Sequence, residues 1–232
     1  MKSRRTSVRA TIWTSLACAA VLAACAQPAL SDEPARVMPA PTVDVPLGDG
    51  ATQTAVLAGG CFWGMEGVFE HVRGVERVRS GYAGGDPRRA NYADVTTGQT
   101  GHAEAVEIVF DPRAISYGEL LRIYFSVATD PTQLNRQGPD VGAQYRGVIF
   151  FANAEQERIA RAYVAQLTAA RVFSQEIVTR IDPLTRFFPA ENYHQDYLWS
   201  HMSQPYIVAH DLPKIANLRR LFPDRYSAQR SG

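Results

Sequence analysis

The order in which short apolar runs alternate with helix-like segments constrains this chain most. Runs suited to strands lie at Thr54 to Ala58, Val75 to Tyr82, Ala103 to Phe110, Tyr145 to Phe151 and Glu176 to Ile181. Ala103 to Phe110 sets Ala105, Glu107 and Val109 against Glu104, Val106, Ile108 and Phe110, the alternation of a sheet strand. Helical segments lie between them. Phe62 to Val72 is the first, Ser116 with Glu119 forms a capping box before Leu120, Leu121 and Tyr124, and Asn153 opens a long helix to about Arg171. The resulting order β-α-β-β-α-β-α-β predicts an α/β fold, a two-layer α/β sandwich with a mixed or antiparallel sheet and a ferredoxin-like core. No glycine fingerprint for phosphate or dinucleotide binding interrupts it.

Composition excludes several alternatives. With 46% hydrophobic and 20% charged residues, the chain has the material for a packed core and lacks the polarity of a disordered protein. Residues 1–24 read as an export signal: Lys2, Arg4, Arg5 and Arg9 precede an uncharged stretch from Ala10 to Ala24. Gln27 and Pro28 interrupt that stretch short of the ~20 apolar residues of a spanning helix. Without the signal's four basic residues, the 24 Lys and Arg become 20 against 23 Asp and Glu, with no basic run, so nucleic acid is not an expected partner. Residues 25–53 carry five prolines after Cys25 and no apolar periodicity, which reads as an extended, mobile tether. A single domain from residue 54 to 226 and a tail of 227–232 complete the expected organisation.

Cys61 is the first candidate for chemistry. It follows Gly59-Gly60 at the end of a strand and opens a helix, where amide dipoles draw a thiol pKa below the free value of about 8.5 and favour a thiolate. A buried Cys packing as a small hydrophobe is the competing reading. Glu104, within the alternating strand, is either a buried acid that retains its proton or a solvent-facing side chain, and spacing alone does not decide.

The strings Gly60-Cys61-Phe62-Trp63-Gly64, Gly81-Tyr82-Ala83-Gly84-Gly85, Asn91-Tyr92, Gly101-His102-Ala103-Glu104, Gln144-Tyr145-Arg146 and Pro189-Ala190-Glu191-Asn192-Tyr193-His194-Gln195 resemble, in order, the signatures of the A-type peptide methionine sulfoxide reductases. The resemblance implies that Cys61 is the nucleophile and Glu104 the acid that protonates the sulfoxide oxygen. It further implies that Tyr92 and Tyr145 hydrogen-bond that oxygen, and that Asp140 acts nearby through water. Phe62 and Trp63 would form the apolar slot for the S-methyl group. His102 and His194 receive no catalytic role, and no metal site is expected.

By the same resemblance the reaction reduces methionine sulfoxide, the S epimer, free or in proteins, through a Cys61 sulfenic acid. It uses no bound cofactor, only an external thiol donor such as a thioredoxin-like or glutaredoxin-like protein. Leu22-Ala23-Ala24-Cys25 resembles the lipobox of bacterial lipoproteins, which implies acylation of Cys25, membrane attachment through that lipid and a place in the cell envelope facing the periplasm; soluble periplasmic export is the alternative. Two departures stand out. Pro139 precedes Asp140 and Gly147 follows Arg146, so the loop carrying Asp140 is expected to sit differently, and no Cys follows Cys61, so no resolving thiol is expected in the C-terminal region. A cysteine hydrolase and a lipid-tethered binder of oxidised methionine are the competing functional classes. Methionine release that requires thiol separates reduction from both.

Overall fold

The computed structural model describes residues 34–48 and 50–232, so the export signal and Cys25 lie outside the described residues. Among the described residues eight strands and six α-helices follow in chain order: β1 (Gln53–Ala58), α1 (Phe62–Glu70), β2 (Val75–Ala83), α2 (Tyr92–Val95), β3 (Ala103–Phe110), α3 (Tyr117–Ile123), β4 (Arg136–Gln137), β5 (Asp140–Val141), β6 (Val148–Phe151), α4 (Ala154–Ala169), β7 (Arg180–Pro183), β8 (Phe187–Pro189), α5 (Tyr197–Ser200) and α6 (Leu212–Leu221). The main sheet has the order β7-β6-β1-β3-β2-β8; only β6 and β7 pair in parallel. Its centre, β6-β1-β3-β2, is antiparallel with α1 and α3 as crossovers, which is the ferredoxin-like arrangement.

Alternation assigns the two faces. Leu57, Val106, Ile108 and Phe110 join the large core beneath the helices, which contribute Phe62, Met65, Phe69, Leu120, Leu121 and Tyr163. Val56, Ala58, Ala103, Ala105, Val148 and Phe150 form a smaller cluster on the opposite face, covered by Leu184 and Phe187. Glu104 has the parity of Val106 and Ile108, so it points to the helix side and is only 2% exposed. The capping expectations hold: Ser116 Oγ accepts from the Glu119 amide and the Asn153 side chain from the Gln156 amide.

Three sequence expectations are corrected. Tyr145 is not in a strand: Ala143–Tyr145 forms a 3-10 turn and β6 begins at Val148, because Gly142 at φ 144° turns the chain first. The strand expected at Glu176 to Ile181 lies at Arg180–Pro183 instead, where pairing with β6 sets the register.

The described part of the Pro-rich segment is a strap rather than a mobile tether. Met38 is buried and its carbonyl accepts from Arg122, while the carbonyls of Pro39 and Ala40 accept from Tyr163 and Gln166 at 2.8 Å each. Asp44 receives the Ser116 hydroxyl and the Gly118 amide at the start of α3. These partners are 72 to 126 residues away in sequence, which hides the contacts from any local pattern. The C-terminal residues are fastened too: Ser227 and Ser231 donate to the carbonyls of His71 and Glu70.

Candidate active site

Gly60 turns the chain at φ 99°, and a Cβ there would lie 2.6 Å from Cγ of Gln137. This close approach delivers Cys61 to the N-cap of α1, immediately after β1. Cys61 is 8% exposed. The expected lowering of its pKa is overturned: burial pushes the thiol well above its usual range, and the carboxyls of Glu104, Asp211 and Asp140 add to the rise. Only the Trp63 amide at the start of α1 pulls the other way. A half-charge from the helix is outweighed here by desolvation and three acidic neighbours.

Glu104 Oε2 accepts the Phe62 amide at 3.1 Å, so the acid sits directly under the first turn of α1. Burial raises its pKa to about 8; the Phe62 amide opposes this, and Asp140 and Asp211 reinforce it. Glu104 therefore retains its proton at neutrality. Tyr92 opens α2 behind its Asn91 cap, and Tyr145 ends the 3-10 turn before β6. Burial raises the pKa of both phenols, with Glu104 adding to each, so both remain hydrogen-bond donors near neutrality.

These groups converge. Cys61, Phe62, Trp63, Tyr92, Glu104, Asp140, Tyr145, Gln204 and Tyr206 line one cavity of about 260 Å³. All seven catalytic and substrate-binding residues expected from the sequence are among them. Asp140 reaches it from the β4-β5 hairpin, whose two-residue turn is Gly138-Pro139, and it accepts a hydrogen bond from the Tyr206 hydroxyl.

The aromatic wall is braced from behind. Trp63 Nε1 donates to His194 Nδ1 at 3.2 Å, and the Trp63 ring stacks on Tyr197 at 3.9 Å. Burial lowers the His194 pKa, consistent with a neutral acceptor. Glu191 ties the Tyr82 hydroxyl to the Tyr92 amide, both at 2.9 Å. His102 bridges the Gly85 amide and the Asp86 carbonyl, and neither histidine lines the cavity.

Three residues at the site escaped sequence reasoning. Gln204 and Tyr206 line the cavity, and Asp211 is fully buried beside α1 with neither carboxyl oxygen hydrogen-bonded to protein. Burial raises Asp211 to about 6, against the pull of Lys214. Tyr206 caps and Asp211 ends a π-helical turn over Ile207–Asp211, a geometry frequent at functional sites. Only Asp211-Leu212-Pro213 carried a readable signal, that of a helix start, and it says nothing of chemistry.

The family model described as peptide methionine sulfoxide reductase matches residues 53–226. The chain belongs to this family. It is 56% identical to the peptide methionine sulfoxide reductase MsrA 2 of Mesorhizobium japonicum over 76% of this chain and 90% of that protein. It is 50% identical to the MsrA 2 of Synechocystis over 84% and 92%. Among solved structures, the methionine sulfoxide reductase A of Corynebacterium diphtheriae superposes with a TM-score of 0.57 at 35% identity, covering 75% of this chain and 88% of that one. Reduced Mxr1 of Saccharomyces cerevisiae gives 0.61 at 28% identity, covering 70% and 92%. The reductase is thus an oxidoreductase, and its reaction is the thiol-dependent reduction of methionine sulfoxide. Cys61 is the one cysteine among the described residues, so its oxidised form has no described partner thiol.

Proposed function

We propose that the reductase acts on the S epimer of methionine sulfoxide, with the Cys61 sulfur as nucleophile and Glu104 as proton donor. The observation that carries this reading is the single cavity in which a protonated buried acid, two phenols and a thiol meet an aromatic wall. Sulfoxide sulfur is a weak electrophile until its oxygen is protonated. Glu104 supplies that proton, while Tyr92 and Tyr145 donate to the oxygen as charge develops on it. Phe62 and Trp63 receive the methyl group. As Glu104 gives its proton to oxygen, its carboxylate takes the proton of the Cys61 thiol, so the thiolate forms only during the reaction and Glu104 ends protonated. Cys61 ends as a sulfenic acid, methionine leaves, and two external thiols regenerate the enzyme. Asp140, held by Tyr206, orients water at the same wall.

The rest of the reading concerns place and donor. The basic start followed by Leu22-Ala23-Ala24-Cys25 supports export and acylation of Cys25, which would make this a repair enzyme of oxidised proteins in the cell envelope. A thioredoxin-like or glutaredoxin-like protein of that compartment would supply the electrons. A single-turnover assay with separated epimers tests the chemistry: one methionine per Cys61 without added thiol is expected, from the S epimer alone, and none from Cys61→Ser. Two methionines per enzyme without thiol would refute the single-thiol cycle. Mass spectrometry of the membrane fraction tests the location, where an intact Met1 or unmodified Cys25 would refute anchoring.

A further inference from the structure

Cys61 also lines a second cavity, of about 220 Å³, which shares only Cys61, Asp140 and Tyr206 with the sulfoxide cavity. Its lining includes Phe173, Lys214 and the exposed Ala209. The hydrogen-bonded Asp140–Tyr206 pair belongs to both linings. The volume equals that of about seven water molecules, enough for a small thiol and too little for most drug-sized ligands.

We propose that this second cavity is the binding site for the reducing thiol, which reaches the Cys61 sulfur from the side opposite the sulfoxide. The inference rests on the sulfenic-acid reading above. Displacement at sulfur runs in line, with the incoming thiolate opposite the leaving group. On that reading the oxygen on Cys61 is left among the donors Glu104, Tyr92 and Tyr145 of the sulfoxide cavity, and the second cavity is the other space that the Cys61 side chain lines.

The balance is complete. The S–S bond to the incoming thiol forms as the S–O bond breaks, and Glu104 protonates the departing oxygen to give water. The proton lost by the thiol restores Glu104. A second thiol then attacks the sulfur of the first, releasing a disulfide and the Cys61 thiol. Two thiols are oxidised and one sulfenic acid is reduced. A cavity dedicated to this step leaves the sulfoxide cavity unchanged between the two half-reactions.

The test uses the full chain with Cys18→Ser and Cys25→Ser, so that Cys61 is the one thiol. The enzyme is oxidised with one equivalent of methionine sulfoxide, and 2-mercaptoethanol is added with quenching and mass spectrometry of the mixed disulfide. Ala209→Trp, which places an indole at the mouth of the second cavity, should slow the thiol step at least tenfold and leave the rate of methionine release within twofold. Ala209→Ser, which adds little volume at the same position, should show less than a fifth of the slowing of the thiol step that Ala209→Trp shows. Saturating N-acetylmethionine, which occupies the sulfoxide cavity, should leave the thiol step within twofold. An unaltered thiol step in Ala209→Trp, an equal loss in both steps, or a block by N-acetylmethionine would overturn the proposal. Absence of any methionine burst in the parent protein would overturn the sulfenic-acid reading instead.

Discussion

Glu104→Gln should make the protein more stable while crippling it. The carboxyl is almost fully buried, and its pKa is raised from 4.5 to about 8. Between those values the native state holds a proton that the unfolded chain releases. Because the native state binds more protons there, unfolding free energy falls as pH rises through that window. The contribution is fully present below pH 4.5 and lost by about pH 8. Gln keeps the shape and can still accept the Phe62 amide, yet carries no ionisable proton. The variant should therefore match wild type near pH 4 and exceed it by about 3 kcal/mol at pH 7 and about 5 kcal/mol above pH 8. Glu66, Glu70 and Asp211, whose pKa values are also raised by burial, are common to both proteins and largely cancel in the difference. Urea unfolding of the two proteins from pH 4 to 9 measures it, with single-turnover methionine release expected to fall by about 10² to 10⁴ in the variant. A stability difference independent of pH would show that Glu104 is ionised in the native protein, and the proton-donor role would fall with it.

Gly64→Ala should lower Tm despite placing a better helix former in α1. The new Cβ would fall against Asp211, 2.9 Å from its Cγ, and overpacking of about 1–3 kcal/mol outweighs a propensity gain of about 1 kcal/mol; a higher Tm would mean that Asp211 yields freely. Tyr206→Phe removes the hydroxyl that holds Asp140 and should slow methionine release about tenfold, equivalent to about 1.4 kcal/mol, with little change in urea midpoint. An unchanged rate would remove Asp140 orientation from the mechanism.

Much of the molecule was legible along the chain. Strand alternation, the Ser116 and Asn153 caps and the β-α-β-β-α-β order are local signals, each set by backbone periodicity and short-range hydrogen bonding, and they carried the fold class. The matched motifs carried Cys61, Phe62, Trp63, Tyr92, Glu104, Asp140 and Tyr145 into one cavity. What the chain by itself left open was the direction each group faces and the field it feels. Alternation offered two faces for Glu104, and only the position of β3 beneath α1 made one of them buried. A helix start predicted an activated thiolate at Cys61, whereas burial, reinforced by Glu104, Asp211 and Asp140 from three distant segments, reversed the sign. The strap at residues 36–44, the Tyr206–Asp140 pair and the second cavity likewise depend on contacts across dozens of residues. Desolvation and charge add up in space rather than along the chain, so the identity of the reacting groups was written in sequence and their protonation was decided by packing.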